Sequence, residues 1–571
     1  MSVNERISKV LIEMGEILTI KGDRFRSRAF NMAAQRITAL TEDIQLIYDR
    51  IELEDIPGVG KGIAAVITEV LERGGSTQLE ELRESLPHGV RDLMQLEGVG
   101  PRKAMRLNKE LGVTSIDELE QAAKEKKVRP LKGFGAKTEE NLLRSIREYQ
   151  LMQGRFLLGA VLPVIDDIIK WMKESPAVLQ VEVAGSARRR KETVGDLDVL
   201  VASNTPEVVT ERFVSMPPII RIVAKGPTKS TVVLEKNLHV DLRVIEQRNY
   251  GAALQYFTGS KEHNVKLRTI SVKRGYKLNE YGLYKRESGE LVAGESEEGI
   301  YRILDMDLMP PELRENRGEI EAAMNKELPM LVEYSDIRGD LHVHTNWSDG
   351  NSTVEEMAVR AKMYGWEYLA ICDHSKSLGI AGGLDEEDLR KQITEIELVN
   401  RKLEDITVLK GLECDIKADG SLDLPDRSLQ DLDFVVASIH SGFKATPEKM
   451  TERLVSALHN EYVSTIGHPT GRVLQRRPGY TFDMAQIFET ASEQGVMMEV
   501  NAYPDRLDLN DVNCMAAMEN GVTLSIGTDS HSPSHMDFME MGVSVARRGW
   551  LKKEDIINTL SIKDLMKVLR H

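Results

Sequence analysis

At 571 residues the chain is long enough for three to five domains, each with its own core. Charged side chains make up 29% of it, no apolar run approaches the roughly 18 residues that span a bilayer, and Cys372, Cys414 and Cys514 are too few and scattered for a disulfide framework, so no membrane partner and a cytoplasmic location are expected. The net charge of −16 argues against a nucleic-acid binder until it is localised: residues 1–320 hold 49 basic and 49 acidic side chains, and the remainder holds 26 and 42. The acidity therefore belongs to the C-terminal part, and the first part keeps local basic clusters suited to a phosphate backbone.

Residues 1–50 read as helices, with Ile7, Val10, Leu11, Met14, Ile17 and Leu18 at helical spacing. Lys21, Arg24, Arg26 and Arg28 follow on what is expected to be a solvated helix face. Three glycine hairpins come next, at Ile56-Pro-Gly-Val-Gly-Lys61, Leu96-Glu-Gly-Val-Gly-Pro-Arg-Lys103 and Leu131-Lys-Gly-Phe-Gly-Ala-Lys137. Each places an apolar residue before a G-x-G turn and a helix start. The glycines let the backbone turn sharply and leave N–H groups at a helix N-terminus facing outward, ready for a phosphate. Without a preceding strand, three such copies look like helix-hairpin-helix motifs, which hold DNA backbone without reading sequence. The candidate DNA contacts are Gly58, Gly60, Lys61, Gly98, Gly100, Arg102 and Lys103.

Residues 151–250 are expected to form a mixed sheet backed by helices such as 156–173. Val181 and Val183 lead into a Gly185-Ser186 turn, Arg188 to Arg190 follow, and Asp196-Leu-Asp-Val-Leu-Val201 leaves as a strand. Alternate strand residues share a face, so Asp196 and Asp198 point the same way. Asp241, in His239-Val-Asp-Leu-Arg243, adds a third carboxylate alternating with apolar residues. Adjacent carboxylates repel unless a divalent cation sits between them, and Mg²⁺ takes such oxygen ligands. Three acids beside a Gly-Ser cradle and arginines form the layout of two-metal phosphoryl transfer. Asn264 and Arg268, four apart in Tyr256-Phe-Thr-Gly-Ser-Lys-Glu-His-Asn-Val-Lys-Leu-Arg268, face together on a helix. From about 290 to 337 the sequence turns acidic and irregular, and 319–337 is taken as a connection.

The last part opens with Asp340-Leu-His-Val-His-Thr345, which sets His342 and His344 on one strand face. Apolar strand-like segments then recur, each ending in a possible ligand: His374, Glu413, His440, His468, and Asp529 with His531. Helical patterns fill the intervals at 355–364, 385–404, 447–460, 483–495 and 511–520. This alternation predicts a parallel barrel, whose strand carboxyl ends gather the site. With Asp349, nine metal ligands are expected: His342, His344, Asp349, His374, Glu413, His440, His468, Asp529 and His531. Imidazole with carboxylate suits Zn²⁺ or Mn²⁺. Asp373 is expected to orient a ligand imidazole, and Cys372 and Cys414 to be bystanders.

With these motifs the chain resembles, over nearly its whole length, a family X DNA polymerase of the bacterial and archaeal kind, a DNA-polymerase-beta-like core followed by a PHP (polymerase and histidinol phosphatase) domain. The resemblance implies a multidomain α+β then α/β fold: helical DNA-binding domains at 1–85 and 86–150, a nucleotidyltransferase palm at 151–250, a thumb at 251–318, and a distorted (β/α)-barrel PHP domain at 338–571. It implies that Asp196, Asp198 and Asp241 are catalytic and hold Mg²⁺ or Mn²⁺. Gly185, Ser186, Arg189 and Gly195 would meet the triphosphate, Tyr256, Phe257 and Gly259 the sugar side, and Asn264 and Arg268 the nascent base pair. The PHP motifs imply up to three Mn²⁺ or Zn²⁺ ions, with Glu413 bridging two. Three departures stand out. Val66 occupies the place of the lyase lysine, with Gly62 one turn earlier and Lys61 out of register; His239 stands where an arginine is usual; Lys261 replaces an acid beside the base. The expected activity is gap filling on gapped or primer-template DNA with dNTPs, by a monomer, and Mn²⁺- or Zn²⁺-dependent 3′–5′ trimming by the PHP site. The alternatives are a PHP domain that is scaffold or small-molecule phosphatase, and a non-catalytic DNA-end binder.

Overall fold

The structure, a computed structural model, describes residues 3–38, 44–50, 53–73, 76–84, 89–94, 96, 99–152, 154–379 and 381–569. Two units emerge, residues 1–153 with 475–477, and residues 154–474 with 478–571.

In the first unit the helical spacing of the leading apolar residues becomes the helix Val3–Ile20, paired with Arg24–Thr38. Ile7, Leu11, Met14, Ile17 and Leu18 are buried against Phe30, Ala33, Ala34 and Ile37. Each such aliphatic side chain contributes about 1.5–3 kcal/mol by leaving water. The three glycine hairpins repeat one bonding pattern. Val59, Val99 and Phe134 donate their N–H to Ile56, Leu96 and Leu131, and Gly60, Gly100 and Gly135 accept from Ala64, Ala104 and Glu139 to start the helices Lys61–Arg73, Pro101–Leu111 and Ala136–Met152.

In the second unit a five-stranded sheet runs in the order Gln180–Val183, Leu197–Ala202, His239–Ile245, Lys229–Val233, Arg221–Lys225. Its central pair, Leu197–Ala202 with His239–Ile245, is parallel, and the other pairs are antiparallel. The helix Leu158–Lys173 covers one face, burying Leu158, Val161, Ile165, Ile168 and Met172 against Val199, Val201 and Leu242. A three-stranded sheet, Tyr276–Asn279, Gly282–Lys285 and Leu291–Ala293, follows the helices Tyr250–Thr258 and Lys261–Lys273. The stretch 319–337, expected as a connection, begins with the helix Glu319–Asn325, whose Ile320 and Ala323 pack in the same core as Leu267 and Tyr301.

Seven parallel strands then pair in chain order from Gly339–Val343 to Leu524–Gly527, and a bridge between Val343 and Ser530 brings the last back to the first. The result is a nearly closed barrel. Five of its helices fall where the apolar periodicity places them, and each of these opens on a side-chain cap: Thr353, Asp385, Thr446, Asp483 and Asn510 accept the orphan N–H groups of the first turn. Each cap is worth about 1 kcal/mol and fixes where a loop becomes a helix.

Candidate active sites

The parallel pairing of Leu197–Ala202 with His239–Ile245 sets Asp198 directly beside Asp241, and Asp196 immediately precedes the first strand. Leu197, Val199, Val240 and Leu242, on the opposite face, anchor both strands in the core. Burial first, then the charges of Asp196 and Asp241, push Asp198 up to about 6. A carboxyl raised by burial and by neighbouring charge is one whose ionised form a cation would stabilise. Gly185 has φ +62, and a Cβ there would stand 2.8 Å from Asp198 Oδ2, so the turn approaches the acids as only glycine can.

The arginines after this turn are committed within the protein. Arg188 pairs bidentately with Glu297, Arg189 Nε reaches Glu315 at 3.0 Å while its Nη1 donates to the Thr258 carbonyl, and Arg190 reaches Glu540 at 2.7 Å. Arg189, expected at the triphosphate, thus has its guanidinium held by Glu315 and the Thr258 carbonyl. Ser186 lies in the single turn Gly185–Arg188, and Gly195 leads into the strand at Leu197. Gly259, at φ +73, passes within contact of Arg189, which a Cβ would meet at 3.1 Å.

Tyr256 and Phe257 meet edge to face, and Arg243 stacks on Phe257 at 4.2 Å. Asn264 is buried; its Nδ2 donates to the Tyr256 carbonyl at 2.7 Å and its Oδ1 accepts from Gln255. Arg268 Nε donates to the Asn264 carbonyl at 3.2 Å. Asn264 and Arg268 thus meet as expected, yet here they brace each other and Tyr256. His263, from the same helix, makes a fully buried pair with Glu319 at 2.7 Å.

In the first unit, Gly58 (φ +91), Gly60 and Gly100 have open space where a Cβ would stand, and Lys61 is exposed at a helix start. Lys103 lies 6.0 Å over the Phe134 ring. Gly98 lies outside the described residues, and of Arg102 only the backbone, in the helix Pro101–Leu111, is described. Val66 is buried in the hydrophobic core, so no amine stands at that helix position.

The barrel brings all nine expected ligands to the carboxyl ends of its strands. Three overlapping groups have ligand atoms within 4.8 Å of one another: His344, Asp349, His374 and His531; His342, His344 and Asp529; and His374, Glu413 and His440. His468 joins through Nε2, 2.9 Å from Glu413 Oε1. Burial and the His531 and His374 rings push His344 down to about 3, leaving a neutral imidazole with a lone pair to give. Burial opposes ionisation of Glu413, but His374, His440 and His342 overcome it and hold the carboxyl well below its usual range. His344 Nδ1 and His468 Nδ1 are buried without a hydrogen-bond partner. A nest of imidazoles and carboxylates with buried, orphaned nitrogens fits metal ions. His468 at φ +28 and Asp529 at φ +55 hold strained backbones, pinned by bonds from their N–H groups to Glu499 and to the His342 carbonyl.

Behind these ligands stand residues that the motifs did not single out. Glu499 Oε1 lies 2.6 Å from His342 Nδ1, and Asp415 Oδ1 lies 2.6 Å from His440 Nδ1. Arg506 and Asn501 both reach Asp529 Oδ2, at 3.3 and 3.1 Å. Asp373, expected to hold an imidazole, instead accepts from Thr345, Ser348 and Gln392, so it shapes the loop that carries Asp349. A carboxylate behind a ligand imidazole fixes the tautomer and aims the far nitrogen. An acid inside an apolar strand, as in Met498-Glu-Val-Asn501, is the one signal that exposes Glu499. Cys372 and Cys414 are buried free thiols, and burial raises both.

A sheet with three adjoining carboxylates, a following thumb and a histidine-lined barrel define a nucleotidyltransferase core joined to a metal-site barrel. Family models match a helix-hairpin-helix domain at residues 2–76, a SAM-like helix-hairpin-helix tandem at 90–148, a DNA polymerase beta thumb at 253–315 and a PHP domain at 340–502. The DNA polymerase/3′-5′ exonuclease PolX of Bacillus subtilis (strain 168) is 38% identical over 567 residues, 99% of each chain. A probable phosphatase of Thermoanaerobacter sp. (strain X514) is 29% identical over 38% of this chain and 89% of its own length, and one of Acetivibrio thermocellus is 33% identical over 34% of this chain and 78% of its own. The chain belongs to the family X DNA polymerases that carry a C-terminal PHP domain.

Proposed function

We propose that the chain is a DNA-templated, gap-filling DNA polymerase whose PHP barrel is a second, metal-dependent 3′–5′ exonuclease. The observation that carries this reading is the coexistence of two complete acid-rich centres in one unit, neither of which the other's chemistry requires. At the palm, Asp196 and Asp198 would hold two Mg²⁺ (or Mn²⁺) ions, and Asp241 would hold the catalytic one and take the primer 3′-hydroxyl proton. In the barrel, Glu413 would bridge two of up to three Mn²⁺ or Zn²⁺ ions, with His440 and His468 on one side and His342, His344 and Asp529 on the other. Asp349, His374 and His531 would hold the third. When bound, such ions lower the pKa of attacking oxygens and stabilise charge at phosphorus and at the leaving oxygen. The protein's own part is to hold the ligands in place: Glu499 and Asp415 aim His342 and His440, and buried Asp340, raised to about 6 by its burial, accepts from Thr528 beside Asp529.

The hairpin glycines, Lys61, Arg102 and Lys103 would grip the DNA backbone through N–H groups and charge, and Ser186, Arg189 and Gly195 the dNTP phosphates. Tyr256, Phe257 and Gly259 would line the sugar, and Asn264 and Arg268 the new base pair. The protein works as a cytoplasmic monomer, and with Val66 in place of an amine it lacks a Schiff-base lyase at that position. A gapped duplex with a labelled primer tests the reading. Extension with dNTPs and Mg²⁺, and stepwise shortening with Mn²⁺ and no dNTPs, are expected; a wild-type protein that does neither refutes it. The probable-phosphatase relatives favour a second reading for the barrel, a small-molecule phosphatase. Release of phosphate from small phosphomonoesters without mononucleotides from DNA would select it.

A further inference from the structure

The palm's third carboxylate has a partner that no motif announces. Thr231 sits directly opposite Asp241 across the antiparallel pair Lys229–Val233 and His239–Ile245, and its Oγ1 donates to Asp241 Oδ1 at 2.6 Å. Among the described residues this is the one hydrogen bond that the Asp241 side chain accepts, with Lys229 Nζ 3.7 Å from the other oxygen. The residues that share Asp241's face of its own strand do not do this work. His239 makes no hydrogen bond to it, and Arg243 is stacked on Phe257 at 4.2 Å.

An aspartate's terminal torsion is broad and two-fold, so a lone carboxylate on a strand turns easily. A base or ligand must be held within about 0.5 Å and 10–20° of its working geometry. A bond from a stiff β-branched side chain restricts that torsion, and Lys229 of the same strand stands 3.7 Å from the second oxygen. Because the donor is a neutral hydroxyl, it orients Asp241 without cancelling the charge that a cation and a proton both need.

We propose that Thr231 is a positioning residue for nucleotide addition, acting through Asp241. This rests on the polymerase reading of the palm. Thr231→Val removes the hydroxyl with little change of shape in a strand that favours branched residues, and Thr231→Ser keeps it. In single-nucleotide gap filling, Thr231→Val should lower kcat about tenfold with the dNTP KM within about twofold of wild type, and Thr231→Ser should recover most of the loss. Trimming by the barrel should be unchanged in both. A readout without turnover is the rise in melting temperature when Mg²⁺ is added to protein, gapped DNA with an intact 3′-hydroxyl, and an α,β-imido dNTP. That rise should shrink for Thr231→Val and match wild type for Thr231→Ser. Wild-type kcat in Thr231→Val, equal losses in both variants, or a change confined to KM would each overturn the proposal. Extension by Asp198→Ala would instead overturn the polymerase reading itself.

Discussion

The two acid-rich centres of the second unit solve the same electrostatic problem in opposite ways. In the palm, three carboxylates, two on adjacent strands and one just before the first, stand partly exposed, with burial and mutual repulsion raising Asp198 to about 6. In the barrel, His342, His344, Glu413 and His468 are almost wholly buried, and imidazole lies against carboxylate throughout. A like-charge site in reach of water is completed by what arrives with the substrate. A buried mixed site can be assembled and aimed before anything binds, and its ligands come from the ends of strands up to 189 residues apart, from His342 to His531. The comparison also explains why the barrel's acidity coexists with a phosphate-cleaving proposal, since bound cations neutralise part of it.

The sharpest way to break this contrast is at its hub. Glu413→Gln should cut Mn²⁺-dependent trimming by more than about a thousandfold, because it removes the shared carboxylate, while gap filling stays near wild type. Trimming assays on a labelled single strand measure it, and retention of more than a tenth of the activity contradicts the bridging role.

In the thumb, a buried carboxylate is compensated by arginine. Burial opposes ionisation of Glu297, yet Arg314 and Arg188 hold it at about 2 against an ordinary 4.5. Its stabilisation, on the order of 3 kcal/mol, is complete above about pH 4.5 and is lost as pH falls toward 2. Denaturant unfolding between pH 7 and pH 3 should show this slope in the wild type. Glu297→Gln should flatten the slope and, by leaving buried Arg314 unpaired, destabilise the unit by about 3–5 kcal/mol.

A smaller effect separates aiming from ligation. Glu499→Gln should weaken metal affinity and trimming by about 10–100-fold, with activity partly restored at high Mn²⁺. Metal titration followed by trimming rate checks it, and complete loss at every Mn²⁺ concentration would make Glu499 a ligand instead. The smallest change is expected at Arg189, proposed to exchange Glu315 for a dNTP phosphate. Arg189→Ala should raise the dNTP KM about tenfold, and steady-state gap filling reads it.

Much of both centres was legible because strand alternation turns sequence spacing into shared faces. Asp196 and Asp198 could be read as one constellation, and Asp241 joined them through an equally regular strand. The barrel ligands announced themselves by ending apolar segments. What stayed hidden depends on partners far apart in sequence. Arg189 finds Glu315 across 126 residues, and His342 finds Glu499 across 157. Thr231 looks like any strand threonine until the register sets it opposite Asp241. A short helix within 312–331 is legible in the sequence and forms at Glu319–Asn325, but its packing with Leu267 and Tyr301 through Ile320, Ala323 and the buried His263–Glu319 pair is not.

The central claim is that two independent centres share one chain, and reciprocal variants on a single substrate test it most directly. A gapped duplex with a labelled primer is incubated with Asp198→Ala or His440→Ala, with dNTPs and Mg²⁺ in one arm and Mn²⁺ alone in the other. The account predicts that Asp198→Ala trims the 3′ end at the wild-type rate but adds no nucleotide, and that His440→Ala fills the gap but does not trim. Trimming by His440→Ala as fast as wild type, or loss of both activities in either folded variant, would contradict it.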